Sequence, residues 1–232
     1  MGDILGFLLF IALMCIMAFC LITFVKFLAG MVEKRELQRR KEIKDYCLAN
    51  NIEYNEKSSR FPTLIKNFNF TYLKEGKSHS WILESFGRID DIMFYLVEHR
   101  YRLGPDSSKP PCHDTICLLK KQNLNLPDFF VRDEVAGLDA IAKAFGGQDI
   151  NFIDDSVFSK KFVLQGKNEN AIRDYFNKSV RQAFVECHKS GYCSYLYEGK
   201  GDSFLVYKGC FLDNKGRIEM LNYAVNLFKK II

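Results

Sequence analysis

The chain has 232 residues, of which 48% are hydrophobic, with 21 Phe and 11 Tyr, so its bulk has enough apolar material for a sizeable core and is not a disordered polymer. Its net charge of +5 is modest, and no array of basic and aromatic residues points to nucleic acid.

The stretch Ile4 to Val25 contains no charge, Pro, Asn or Gln. At about 1.5 Å rise per residue its helix covers a bilayer core of ~30 Å. A helix satisfies its own backbone groups there without water. A cleaved signal peptide requires a basic start, a shorter apolar run and a small-x-small site. Here only Met-Gly-Asp precedes the run and no Ala-x-Ala follows it, so the expectation is an uncleaved anchor over residues 1–27, with the lipid bilayer as partner of residues 4–25. Residues 26–50 carry seven basic and four acidic side chains. Basic residues beside a span stay on the cytoplasmic side. The sequence therefore predicts an external N-terminus and a cytoplasmic C-terminal domain at the cell membrane. The basic run 34–44 is a solvated helix face that also suits anionic lipid headgroups.

Residues 28–54 read as a basic juxtamembrane helix and linker. Glu36 and Arg40 sit at i, i+4, and Asn50-Asn51 ends the helix. Residues 55–232 form a single soluble domain. Asn55–Ser59 reads as a loop, Pro62 begins a helical turn through Ile65, and Phe68, Phe70 and Tyr72 alternate like a strand. Trp81–Gly87 and Asp90–Leu103 read as strands around a turn at Gly87, and 104–111 as a loop rich in Pro and Ser. Strands follow at Thr115–Lys121 and Phe129–Val131. Glu134–Phe145 has helical periodicity closed by Gly146-Gly147, and Phe162–Leu164 is a short strand. Asn168 caps one helix reaching Cys187, with Ile172, Phe176, Val180 and Phe184 on its buried face. Tyr192–Tyr197 and Phe204–Tyr207 form a hairpin around 199–202, and an amphipathic helix closes the chain over 217–232. The fold class is α+β: an N-terminal transmembrane helix, then a mostly antiparallel sheet packed with two to three amphipathic helices.

The segments RFPTLIKNF at 60–68, HRYRL at 99–103, LNLPDFFVRDE at 124–134, FGGQDINF at 145–152 and FSKKFVLQGKNENAIRDYF at 158–176 carry a resemblance. In this order and spacing the chain resembles a family of uncharacterised prokaryotic single-pass membrane proteins with a cytosolic α+β domain. The resemblance implies that architecture and no activity. Residues 105–123 depart from its pattern, which does not require Cys112 or Cys117.

Two Cys-His groups, Cys112-His113 with Cys117 and Cys187-His188 with Cys193, invite a zinc reading. On a strand, Cys112 and Cys117 point to opposite faces, and His113 lies ~13 Å from Cys117 at ~3.3 Å per residue. Scattered thiols are the plainer reading, kept reduced in a cytosol. Asp149, Asp154 and Asp155 lack the spacing of a calcium loop, and Asp90-Asp91 reads as a turn. Gly199-Lys200-Gly201 is a hairpin, not a phosphate loop, and none of His79, His99, His113 and His188 stands in a zinc-protease motif. No catalytic, cofactor-binding or metal-ligating residue is assigned, and no cofactor is expected. The reading is a membrane-anchored cytosolic interaction or ligand-sensing domain without catalysis. The alternative is a membrane-face enzyme whose site assembles in space without a sequence motif.

Overall fold

The computed structural model describes residues 2–68, 70, 73, 77–102, 111–134, 149–188 and 195–232. Residues 135–145 of the expected helix, 104–110 of the expected loop and 192–194 of the expected hairpin fall outside these. The chain divides into two compact units, Met1–Asp45 and Tyr46–Ile232.

Helix α1 runs over Gly2–Ala49. Between Leu13 and Val32 its large apolar side chains are exposed, and the helix is long and apolar enough to cross a membrane. Farther along, Glu36 bridges Arg39 at 3.0 Å and Arg40 at 3.2 Å, pairs one turn apart that support the basic part of the helix. Hydrogen bonding to Arg39, and then to Arg40, holds the Glu36 carboxyl below the usual range against its partial burial. The helix ends in a Schellman motif: Asn51 takes a left-handed φ of 54°, while the amides of Asn51 and Ile52 return to the carbonyls of Leu48 and Cys47.

In the second unit, β1 (Glu53–Lys57), β2 (Lys77–Ile89), β3 (Ile92–Arg102), β4 (Cys112–Lys120), β5 (Leu126–Asp133), β6 (Phe162–Gln165), β7 (Tyr195–Gly201) and β8 (Ser203–Lys208) form one sheet. Its order is β1-β2-β3-β4-β8-β7-β5-β6, and every neighbouring pair is antiparallel. The helices of this unit among the described residues are α2 (Arg60–Phe68), α3 (Ser156–Lys161), α4 (Glu169–Tyr175), α5 (Lys178–Cys187) and α6 (Asn214–Ile231). This is the α+β architecture that the order of elements predicts.

Side chains alternate across the sheet, giving it two buried faces. The first carries Phe94, Leu96, Cys117, Phe129, Val131, Leu164, Tyr197 and Val206. Against it pack Phe158 of α3, Ile172 of α4, Phe184 of α5, and Met220, Leu227 and Phe228 of α6. The second face carries Tyr95, Val97, Ile116, Leu118, Leu205 and Tyr207, packed with Phe61, Leu64 and Ile65 of α2.

Several local expectations are corrected. Glu53 and Tyr54 already pair with Phe86 and Ser85, so the sheet begins ahead of residue 55, and part of the expected loop at 55–59 is strand. Gly87 lies within β2 opposite Phe94, whose ring stands 2.9 Å from where a Cβ would be; the turn falls at Asp90-Asp91, with Asp90 at φ 54°. The single helix expected from Asn168 to Cys187 is two. Asn168 caps α4, then Asn177 takes an extended conformation and accepts from the amides of Ser179 and Val180 to start α5. Phe68 ends α2 instead of opening a strand. Helix α3, capped by Asp155, has no counterpart in the sequence reading because six residues are too few to show a helical period.

Candidate functional site

The first face is mostly apolar, and a buried ion pair is anchored in it. Arg217, 2% exposed, reaches from α6 to Glu98 at 3.4 Å and donates to the carbonyls of Leu83 and Leu96 and to the Ser85 hydroxyl. Leu83 sits at φ 52° in a bulge of β2, so the guanidinium fastens a strained carbonyl. Cys47 Sγ donates to the same Ser85 at 3.3 Å. This is a structural rivet.

The second face differs in kind, because buried polar groups interrupt it at three places. Beside α2, Glu84 accepts from the Ser58 hydroxyl and from the Phe61 amide, capping that helix. At the β2–β3–β4 edge, His79 Nδ1 lies 2.8 Å from His99 Nε2, and His99 Nδ1 faces Asp114 Oδ2 at 3.7 Å. Adjacent strands bring the three together: His99 pairs with Asp114 in register, and a second bulge in β2, containing Ser78 at φ 56°, turns His79 onto His99. The rings of Trp81 and Tyr101 stack on His99 with centroids 3.9 and 4.7 Å away. The three side chains thus stand in a row, with His99 between the His79 ring and the Asp114 carboxylate. Burial pushes the His99 pKa down, with the nearby Asp114 carboxylate opposing it, and the ring is neutral near pH 7. The third place lies on β5–β8: Tyr207 donates to Glu198 at 3.1 Å, and Arg132 and Gln165 are buried on the same face.

The row His79–His99–Asp114 has the order of a base and its orienting groups, with His79 exposed to solvent. Acyl transfer further needs a nucleophile bonded to that base. Among the described residues no hydroxyl or thiol is bonded to His79. The sequence reading named His79 and His99 only as isolated histidines and passed over Asp114. Their assembly depends on strand register, which spacing along the chain does not reveal.

The residues singled out for metal chemistry are dispersed. Cys117 is fully buried on the first face, where burial pushes its thiol up to about 12, while Cys112 is half-buried opposite Tyr101. His113 stands edge-on to Phe211. Cys187 is buried within reach of the Asn226 amide, His188 faces Asp133 at 3.4 Å, and Cys193 lies outside the described residues. Among the described residues no cluster of three His, Cys, Asp or Glu side chains could hold a metal ion. The acids have structural work: Asp149 accepts from the Leu164 amide, and Asp154 and Asp155 clasp Arg181 at 2.7 and 2.9 Å. Burial raises the Asp155 pKa, but the Phe158 amide and Arg181 outweigh it and leave the carboxyl below its ordinary value.

Two clefts open among the described residues. One of about 370 Å³ lies at the end of the sheet among Arg88, Asp91, Lys120, Lys121 and Asp202, where Lys121 pairs with Asp91 and Lys120 with Asp202. The other, about 410 Å³, runs between α5 and α6 past Glu186, Tyr223 and Lys230, with Lys230 bound to Glu186. Both are open, with their lysines already paired to acids.

No family model and no curated protein matches the chain. A solved structure does: the crystal structure of the mycobacterial trehalose monomycolate transport factor A, TtfA, at a TM-score of 0.54 and 12% identity, covering 83% of this chain and 93% of that one. At that identity the likeness is one of fold.

Proposed function

We propose that this is a single-pass membrane protein whose α+β domain works in the cytosol as a non-catalytic binding module. The observation that carries the reading is α1, an exposed apolar helix that continues into a basic stretch and then into a folded domain. Lys and Arg at 34–44 favour the cytoplasmic side and suit anionic headgroups there. Its fold is shared with a protein named as a transport factor, and an accessory role beside a membrane transport process is the form of binding that likeness favours.

In-cell crosslinking with mass spectrometry tests the reading. Integral membrane proteins should dominate the specific crosslinks of the intact chain, and a pattern no different from an unrelated anchored domain would sink the partner claim. The intact mass of the membrane-bound form should be 26.9 kDa, that of the whole chain. A shortened product released from the membrane would make α1 a signal sequence. A membrane-impermeant thiol reagent should leave Cys112 and Cys210 unlabelled in intact cells; labelling there would reverse the orientation.

A further inference from the structure

We infer that His79, His99 and Asp114 form an acid-sensitive latch, which fastens the start of β2 to the sheet and lets go when both histidines are charged.

His79 Nδ1 and His99 Nε2 are 2.8 Å apart, with ring planes within 3° of each other and ring centres 5.1 Å apart. That separation is close to the most that two imidazoles joined at their nitrogens allow, so the contact is end to end and nearly linear. Such a bond needs one proton between the facing nitrogens and a lone pair to receive it, whichever ring donates. A neutral pair meets this condition, and so does a pair with one extra proton. With both rings charged, each facing nitrogen carries its own hydrogen, and repulsion between like charges replaces the bond.

The backbone at His79 makes it the ring that leaves. Pairing steps from Lys77 opposite Arg102 to Ser80 opposite Arg100, so Ser78 and His79 lie in a bulge, with Ser78 at φ 56°. His79 is exposed, whereas His99 is 1% exposed, so the His79 ring can swing into solvent without breaking a pair in register.

His99 is placed to keep a charge once His79 has gone. Its Nδ1 and Asp114 Oδ2 are both buried, 3.7 Å apart, and neither has a hydrogen bond among the described residues. Trp81 and Tyr101 stack on its ring, an arrangement that favours a cation. The charged groups acting on His99 are Asp114 from β4, which favours its protonation, and His79 from β2, which opposes it. Arg100 alternates to the opposite face of β3 and lies over Phe211. Helix α2 brings Phe61, 5.1 Å from Trp81, and Gly209 after β8 brings no side chain to Asp114.

Amide hydrogen exchange of residues 77–81, in the full chain in nonionic detergent and corrected for the intrinsic effect of pH, tests the latch. The segment should be protected at about pH 7.5. Below about pH 6.5 its exchange should rise by up to about tenfold per pH unit, because opening takes up a proton, while β4 and α6 stay protected. His79→Ala, a change at an exposed side chain, should exchange fast at every pH. Asp114→Asn should lower the midpoint of opening by about one pH unit, since it removes the charge that favours a cationic His99. Trp81 is the one tryptophan of the chain, and a charged imidazole stacked on indole quenches its emission, so quenching should follow the same midpoint. Equal protection of 77–81 in the parent at about pH 7.5 and 5.5, or a rise in His79→Ala as steep as the parent's, would overturn the inference. So would loss of protection in β4 at the same pH, which would make the change an unfolding of the sheet. The readout involves no partner, so its failure leaves the binding-module reading standing.

Discussion

Arg217 and His99 show how single side chains hold this sheet in shape. The Arg217 guanidinium is shared by Glu98, two carbonyls and Ser85, and all of these are buried. Arg217→Ala would take the guanidinium from Glu98, two carbonyls and Ser85 in the core, at a cost of about 3–5 kcal/mol in denaturant unfolding. A loss below ~1 kcal/mol would show that water replaces the guanidinium. His99 makes stability depend on pH with a definite sign. Its folded pKa lies below the ordinary 6.5, through burial, so the unfolded chain binds more protons between the two values. Stability should therefore rise with pH through that window and fall as pH drops below about 6.5. His99→Gln should flatten the melting temperature between pH 5.5 and 7.5 relative to the parent; an unchanged slope would assign the dependence to another group.

At the scale of elements, the sequence was most legible where one pattern had one interpretation. The apolar run of α1, its Asn50-Asn51 end and the amphipathic stripe of α6 announce themselves by length, capping chemistry and period. Misreadings came where one residue type serves two purposes. Gly87 was read as a turn, yet it is needed because the Phe94 ring occupies the place of its missing side chain. The apolar stripe from Ile172 to Cys187 keeps helical spacing across the break at Asn177, so the period hides a capping residue that the side-chain chemistry reveals. The polar places on the second face were illegible for a different reason: His79, His99 and Asp114 meet only once the β2–β3–β4 register and its bulges are fixed. Gly199 gives an element-scale prediction. A methyl there would overlap the Phe129 ring packed above β7. Gly199→Ala should destabilise the domain by roughly 1–3 kcal/mol through overpacking, whereas Gly201→Ala, in open space, suffers only its left-handed φ of 56°. Equal melting temperatures for the Gly199 variant and the parent would contradict the packing of β5 on β7.

For the whole molecule, the division at Asp45 and Tyr46 defines what should fold without the anchor. Two buried faces on one sheet, covered by α2 on one side and α3–α6 on the other, give the second unit its own core. A domain of about 190 residues hides roughly 70% of its unfolded surface, which suffices for independent stability. The boundary matters, because Cys47 is buried against Ser85, and Glu53 and Tyr54 pair with β2. A fragment of residues 46–232 should therefore be soluble and melt cooperatively, while one of residues 55–232 loses the start of β1 and the Cys47 contact and should melt several degrees lower. The described cysteines are all free thiols, and Cys117 is sealed in the core, so excess reductant should leave the melting temperature of 46–232 unchanged. Aggregation of 46–232 under every condition would mean that α1 belongs to the fold, and a large fall with reductant would mean that bridged cysteines hold the domain together.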